Sequence, residues 1–174
     1  MRLLCGADQD FTLSRECLRT LDGDPRFRGR IRRVFIIENE INFLSFMDVR
    51  ASLVLFGQGC GFESLAEIPW LADLPLYYWV DIDTHGFADL DQLRARLPHV
   101  RSLLMEESTL LAHREFWACE PAPQKRDLHR LTIPEAHLYD DLRENRFGER
   151  VRLEQERVDF GRLRDAVAAI AGGC

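Results

Sequence analysis

Four short runs of β-branched and aromatic residues constrain this chain more than anything else in it: Val34-Phe35-Ile36-Ile37, Ser52-Leu53-Val54-Leu55-Phe56, Leu76-Tyr77-Tyr78-Trp79-Val80 and Val100-Arg101-Ser102-Leu103-Leu104. Each is continuous rather than alternating, so the strand it forms is buried on both faces. Helices must cover such a sheet, and residues 62–68 and 87–97 space their apolar residues three and four apart, as a packed helix face requires. The order β-α-β-α-β-α-β predicts a Rossmann-like α/β layer with a parallel four-stranded sheet flanked by helices. With 46% apolar and 30% charged residues over 174 positions, the chain suits one globular domain with a sizeable core, which excludes disordered and fibrous classes. All four runs fall far short of the roughly 20 residues that span a bilayer, and no secretory h-region follows Arg2. The expectation is a cytoplasmic protein with no membrane partner.

Punctuation divides the chain into three parts. Residues 1–30 read as a lead-in segment, the remnant of an upstream region, with a short helix over 13–21 and a turn at Asp22-Gly23-Asp24-Pro25. Residues 31–120 hold the α/β core, which Pro121-Ala122-Pro123 closes. Residues 121–174 form a helical C-terminal extension. There Thr132 caps a helix with Pro134 in its first turn that runs to about residue 146. A last helix over 158–171 has Asp159 as its cap and Gly172-Gly173 as its stop. The five cysteines contain no Cys-x-x-Cys pair for zinc or redox work and read as reduced thiols.

The net charge of −6 is unevenly placed. Residues 1–30 carry six basic and five acidic groups, residues 31–120 seven and fourteen, and residues 121–174 ten and ten. The acidic excess therefore lies in the sheet region, a poor surface for DNA unless cations or a basic partner neutralise it. Lys125 is the one lysine, the other 22 basic residues being arginines. That bias fits either genomic composition or bidentate phosphate contact.

In open parallel sheets ligands bind at the carboxyl ends of the strands, so the residues that follow each run carry the most information. Glu38-Asn39-Glu40 follows the first, Gly57-Gln58-Gly59-Cys60-Gly61 the second, and Asp81-Ile82-Asp83-Thr84-His85-Gly86 the third. Alternate residues of an extended segment share a side, so Asp81 and Asp83 can hold a hard cation together, with Glu38 as a third ligand from another strand. The plainer reading is that Glu38 and Asp83 cap helix N-termini. His85 either carries a proton or touches a phosphate, or only closes the turn before Gly86. His113 and Arg114 read as the solvated or capped face of an amphipathic helix. Arg152, Glu154 and Glu156 alternate in a segment that, if extended, puts two acids on one side.

Two familiar patterns fit poorly. The phosphotransferases of the haloacid dehalogenase type place Asp-x-Asp after the first strand and follow it with Thr or Val, where this chain has His85. Gly57-x-Gly59-x-Gly61 lacks dinucleotide-binding spacing. The glutamate after the first strand and Asp-x-Asp after the third resemble instead the Toprim fold. Within it, the aspartate pair followed by two residues and a glycine resembles the A subunit of topoisomerase VI and its meiotic double-strand-break relatives.

The fuller resemblance is to the C-terminal domain of JetD, the nuclease subunit of Wadjet anti-plasmid systems. It rests on Glu38-Asn39-Glu40-Ile41-Asn42-Phe43-Leu44, Phe56-Gly57-Gln58-Gly59, Asp81-Ile82-Asp83-Thr84-His85-Gly86-Phe87, Leu110-Leu111-Ala112-His113-Arg114 and Arg152-Leu153-Glu154-Gln155-Glu156-Arg157, in that order. The resemblance implies a Mg²⁺- or Mn²⁺-dependent DNA endonuclease acting with an SMC-type motor complex on plasmid DNA, with a homodimer allowed. By the same resemblance Glu38, Asp81 and Asp83 are metal ligands and Glu40 an accessory acid. His85 joins them as a catalytic candidate, and Arg152 and Arg157 are DNA contacts. The topoisomerase pattern breaks at Thr84-His85 and in the lack of a tyrosine placed as a nucleophile, which favours hydrolysis over transesterification. The upstream region of the whole protein is short here, so a fragment or truncated relative is expected. The competing expectation is a non-catalytic Toprim module that docks onto the motor subunits.

Overall fold

A computed structural model describes residues 2–4, 9–10, 15–24, 27, 29–57 and 62–172. In chain order the elements are β1 (Arg2–Leu4), β2 (Gln9–Asp10), α1 (Arg15–Arg19), β3 (Arg33–Ile37), α2 (Glu40–Ser45), β4 (Ser52–Phe56), α3 (Phe62–Ala66), β5 (Leu76–Trp79), α4 (Thr84–Arg96), β6 (Arg101–Ser102), α5 (Glu107–Ala112), β7 (Ala118–Cys119), α6 (Ile133–Arg143), β8 (Val151–Arg152) and α7 (Phe160–Gly172). The four continuous runs form neighbouring parallel strands in the order β4-β3-β5-β6. Val34 through Ile37 are fully buried, as the lack of alternation requires. This is a Rossmann-like sheet with helical cover, compatible with the Toprim fold.

The N-terminal part does more than lead in. β1 pairs antiparallel with β4 and β2 with β1, extending the sheet at that edge. These strands are two or three residues long, too short to leave a periodic signal. The helix expected over 13–21 is the single turn and a half of α1, followed by a 3₁₀ turn at Leu21–Gly23; residues 13 and 14 lie outside the described residues. The fourth run pairs over Arg101–Ser102 alone, because Leu104 turns into left-handed backbone at φ 56° and takes the chain off the sheet. The helix expected over 62–68 is α3 followed by a 3₁₀ turn at Pro69–Asp73. The helix after β5 begins at Thr84 rather than at residue 87, since the Asp83 side chain caps it.

The extension is helical as read, and its starts follow their caps. Thr132 and Glu135 make a reciprocal capping box at α6, and Asp159 accepts the Arg162 N–H at 3.0 Å to open α7. α6 stops at Arg143, short of 146, where Asn145 turns to φ 58°. Among the described residues no helix is long and apolar enough to cross a membrane. Cys17 and Cys119 are exposed thiols.

A buried ion pair fastens the extension to the core. Arg94 of α4 grips Glu135 through two contacts, Nη1 to Oε2 at 2.5 Å and Nη2 to Oε1 at 2.9 Å, while Ser102 donates to Oε1 at 2.6 Å. The Thr132 N–H adds a bond to Oε2 at 2.7 Å. Burial pushes the Glu135 carboxyl up, but these four donors outweigh it and hold the group at about 2. A carboxyl depressed in the folded state stabilises the fold above its unfolded value and loses that contribution as pH falls toward 2. Glu135→Gln should therefore cost about 2–3 kcal/mol near pH 7, measured by urea denaturation, with the difference from the parent shrinking between pH 4.5 and pH 2.

Candidate metal centre

The register of β3 against β5 pairs Ile37 with Trp79, so the residues after both strands emerge on one sheet edge. Glu38 follows β3 and is only partly exposed. The hydroxyl of Tyr78, a side chain wholly buried in β5, donates to Glu38 Oε1 at 2.6 Å. Burial raises the Glu38 carboxyl, the Tyr78 hydrogen bond partly offsets this, and the negative charges of Asp89 and Asp81 add to the rise. Gly57, at the end of β4, flanks the carboxylate: a Cβ there would stand 3.2 Å from Glu38 Cγ. The rest of the glycine turn, residues 58–61, lies outside the described residues.

Asp81 and Asp83 follow β5 and share one division of labour. Asp81 Oδ1 accepts the Gln155 N–H at 2.7 Å, and Asp83 Oδ1 accepts the Gly86 N–H at 2.7 Å. The two Oδ2 atoms face one guanidinium: Arg152 Nη2 lies 2.5 Å from Asp81 Oδ2 and Arg152 Nε 3.2 Å from Asp83 Oδ2. Burial pushes Asp83 up to about 6, with the charges of Glu120 and Asp81 adding to the rise while the Gly86 N–H and Arg152 pull it down. Arg152 reaches the pair because β8 lies beside β7 and Leu153 bridges to Ile82 between the aspartates. Gln155 is 1% exposed and completes the join, its Oε1 accepting the Asn39 N–H at 3.3 Å.

The N-terminus of α4 has a second acceptor from a distant segment. Glu120, 1% exposed, takes the Thr84 hydroxyl at 2.7 Å and the N–H groups of Thr84 and His85 at 3.3 and 3.2 Å. Two carboxylates at one helix start satisfy donors that the helix leaves open and complement its dipole. Both ring nitrogens of His85 face the chain around residue 122. Nε2 is 2.7 Å from the Ala122 carbonyl, and Nδ1 is 3.3 Å from the Gln124 amide. These contacts tie the His85 ring to a distant segment rather than to the turn before Gly86.

Glu40 begins α2 on an exposed surface. The plain capping reading holds for Asp83; at α2 it is Asn39, not Glu38, that caps. Arg157 is exposed and lies 3.9 Å from Glu154, which is itself 3.9 Å from Arg152 Nη2. Glu154 and Glu156 do not form a same-sided acid pair, because the chain turns into a 3₁₀ helix at Gln155–Arg157. His113 is not solvated: it is 5% exposed, with Nδ1 2.8 Å from the Thr109 carbonyl and Nε2 accepting the Asp159 N–H at 2.9 Å. Arg114 lies over the Trp117 ring.

Sequence reasoning missed Tyr78, Asp89, Glu120 and Gln155. Asp89 had one local signal, its position four residues after His85 on the helix that Asp83 starts. Glu120 and Gln155 come from far along the chain, and no spacing announces them.

Three carboxylates are a hard-oxygen set suited to Mg²⁺ or Mn²⁺, and the aspartate pair already holds a cationic group in the Arg152 guanidinium. The donor chemistry therefore fits a divalent ion. With these rotamers, no three Asp, Glu, His or Cys side chains among the described residues gather closely enough to hold one ion. Glu38 is turned to Tyr78 and the aspartates to Arg152. In comparison with known families, residues 7–167 match the family model described as Wadjet protein JetD, C-terminal. No curated protein matches the chain.

The glycine of the Asp-x-Asp-x-x-Gly block has a steric cause. A Cβ on Gly86 would sit 2.1 Å from the Asp81 carbonyl oxygen, a backbone atom that cannot turn away. Gly86→Ala should lose about 1–3 kcal/mol of stability in urea denaturation, and the same substitution at the open Gly23 position, with nothing within 4 Å, should cost far less.

Proposed function

Because the chain belongs to the family of the C-terminal region of the Wadjet protein JetD, we propose that it is a Toprim-type endonuclease domain that hydrolyses plasmid DNA with Mg²⁺ or Mn²⁺, working with SMC-type motor subunits. The observation that carries this reading is the closure of Asp81 and Asp83 on one cation at the carboxyl end of β5, with Glu38 leaving the adjacent strand on the same edge. Glu38, Asp81 and Asp83 are the residues that would hold the ion. A divalent ion supplies Lewis-acid stabilisation of phosphoryl oxygens and favours an ionised water nucleophile.

The chain's own contribution is orientation. Backbone N–H groups of Gln155 and Gly86 fix one oxygen of each aspartate, and Tyr78 fixes one oxygen of Glu38. Arg152 and Arg157 stand on the segment that closes the site and are the proposed phosphate contacts.

The same contacts favour a second reading, a docking module whose aspartates are permanently neutralised by Arg152. Calorimetry with Mn²⁺ separates the two. The nuclease reading expects binding heat that Asp81→Asn removes; the docking reading expects none. In the full assembly, Asp81→Asn should abolish cutting of circular DNA, and the parent should leave no protein on the cut ends. Asn is the better probe than Ala because it keeps an acceptor for the Gln155 N–H. Each phosphate neutralised contributes about −0.9 to the slope of log K against log salt. The isolated domain should give a shallow slope and the assembly a steep one, because the acidic excess lies in residues 31–120.

A further inference from the structure

Asp81 and Asp83 each divide their two oxygens in the same way. Both Oδ1 atoms are bound by backbone N–H groups, those of Gln155 and Gly86, which belong to the fold and do not leave. Among the described residues both Oδ2 atoms are given to Arg152. The Oδ2 pair is thus the exchangeable half of the site, and its present partner is a side chain rather than backbone.

The grip of Arg152 is of a kind that can be released. Its Nε lies 3.2 Å from Asp83 Oδ2, yet this buried atom makes no hydrogen bond, so the contact is one of charge rather than direction. The side chain is 30% exposed, so solvent reaches part of it. Glu154, at 3.9 Å from Nη2, offers the guanidinium another carboxylate close by. Releasing Arg152 leaves two like charges in a partly buried site, which is unfavourable unless another cation takes its place.

We propose that Arg152 is a positioning residue that alternates with the divalent ion: it bridges the Oδ2 atoms of Asp81 and Asp83 until metal arrives, and metal binding displaces it toward Glu154 and solvent. This rests on the metal-dependent reading above and adds to it an internal competitor for the site. The bridge keeps the two carboxylates at the spacing one cation requires. It also lowers apparent metal affinity to the intrinsic value multiplied by the fraction of molecules in which Arg152 has released the pair.

The test is Mn²⁺ calorimetry on the whole chain, with Arg152→Gln, Arg152→Lys, Arg164→Gln and Asp81→Asn beside the parent. Arg152→Gln should bind Mn²⁺ about ten-fold tighter. Arg152→Lys, which keeps the charge but cannot span both carboxylates, should be tighter by a smaller factor and serves if the glutamine variant fails to fold. Arg164→Gln removes the same charge from an exposed position on α7 and should change affinity less than about two-fold, as a screened surface group does. A second readout needs no variant: in a Mg²⁺ titration by NMR, the buried Arg152 Nε–H resonance should move and exchange faster, with the midpoint found by calorimetry.

Equal or weaker Mn²⁺ binding in Arg152→Gln overturns the exchange, as does an equal gain in Arg164→Gln or an Arg152 resonance that ignores Mg²⁺. Those results leave the metal site standing if Asp81→Asn still abolishes the heat. No carboxylate-dependent heat in any variant removes the metal-dependent reading, and the exchange with it.

Discussion

Two carboxylates held one residue apart at the end of a buried strand repel each other unless a cation lies between them, and much of this molecule is arranged around that demand. Asp81 and Asp83 are drawn partly out of water by the sheet edge, where each charge costs more than it would on the surface. The chain answers with a segment some seventy residues away. β8 returns beside β7, Leu153 bridges to Ile82, and the residues on either side of that bridge, Arg152 and Gln155, supply the charge and the N–H that Asp81 takes. The C-terminal extension and the sheet edge are thus one electrostatic unit.

The same crowding explains the helix that leaves the site. α4 starts as soon as the aspartate pair ends, and its first turn presses so close to the Asp81 carbonyl that position 86 has no room for a Cβ. Asp83 serves the helix with Oδ1 and the Arg152 guanidinium with Oδ2, so it caps the helix and pairs with a charge at once. Glu120 takes the next donors of that turn and brings the chain around residue 122 onto His85. A helix start with two carboxylates is stabilised by its dipole, but those charges raise the proton affinity of Asp83, and Arg152 opposes them.

The parallel sheet and its candidate acids were legible because both depend on local pattern. Continuous apolar runs state burial on both faces, and the carboxyl ends of such strands are where polar residues are informative. What escaped was set by contacts distant in sequence. β1 and β2 form only because β4 has a free edge to pair with. The fourth strand is cut short by the backbone of Leu104, which no apolar run foretells. His113 read as the solvated or capped face of a helix; it stands at the C-terminal cap of α5 and is buried rather than solvated. Its burial comes from the Asp159 N–H at the start of α7, forty-six residues on. The extended reading of residues 152–156 failed at Gln155, where the chain turns to put its N–H on Asp81.

The aromatic character of the third run bears on mechanism. The chain has three tyrosines, and transfer of DNA to a tyrosine needs one whose hydroxyl is exposed and can lose its proton. Tyr78 is fully buried and donates to Glu38, and burial together with that neighbouring charge pushes its ionisation well above the ordinary range. Tyr77 is buried in the same strand with its ring against Phe35. Tyr139 donates to the Arg126 carbonyl at 2.6 Å, and burial raises its ionisation too. None is placed to attack a phosphodiester. The hydroxyl of Tyr78 instead serves Glu38, fixing a carboxylate that the apolar strand would otherwise leave without a donor. A phenylalanine there would pack as well and leave Glu38 half-buried and unpaired, so the tyrosine belongs to the acid site rather than to the core.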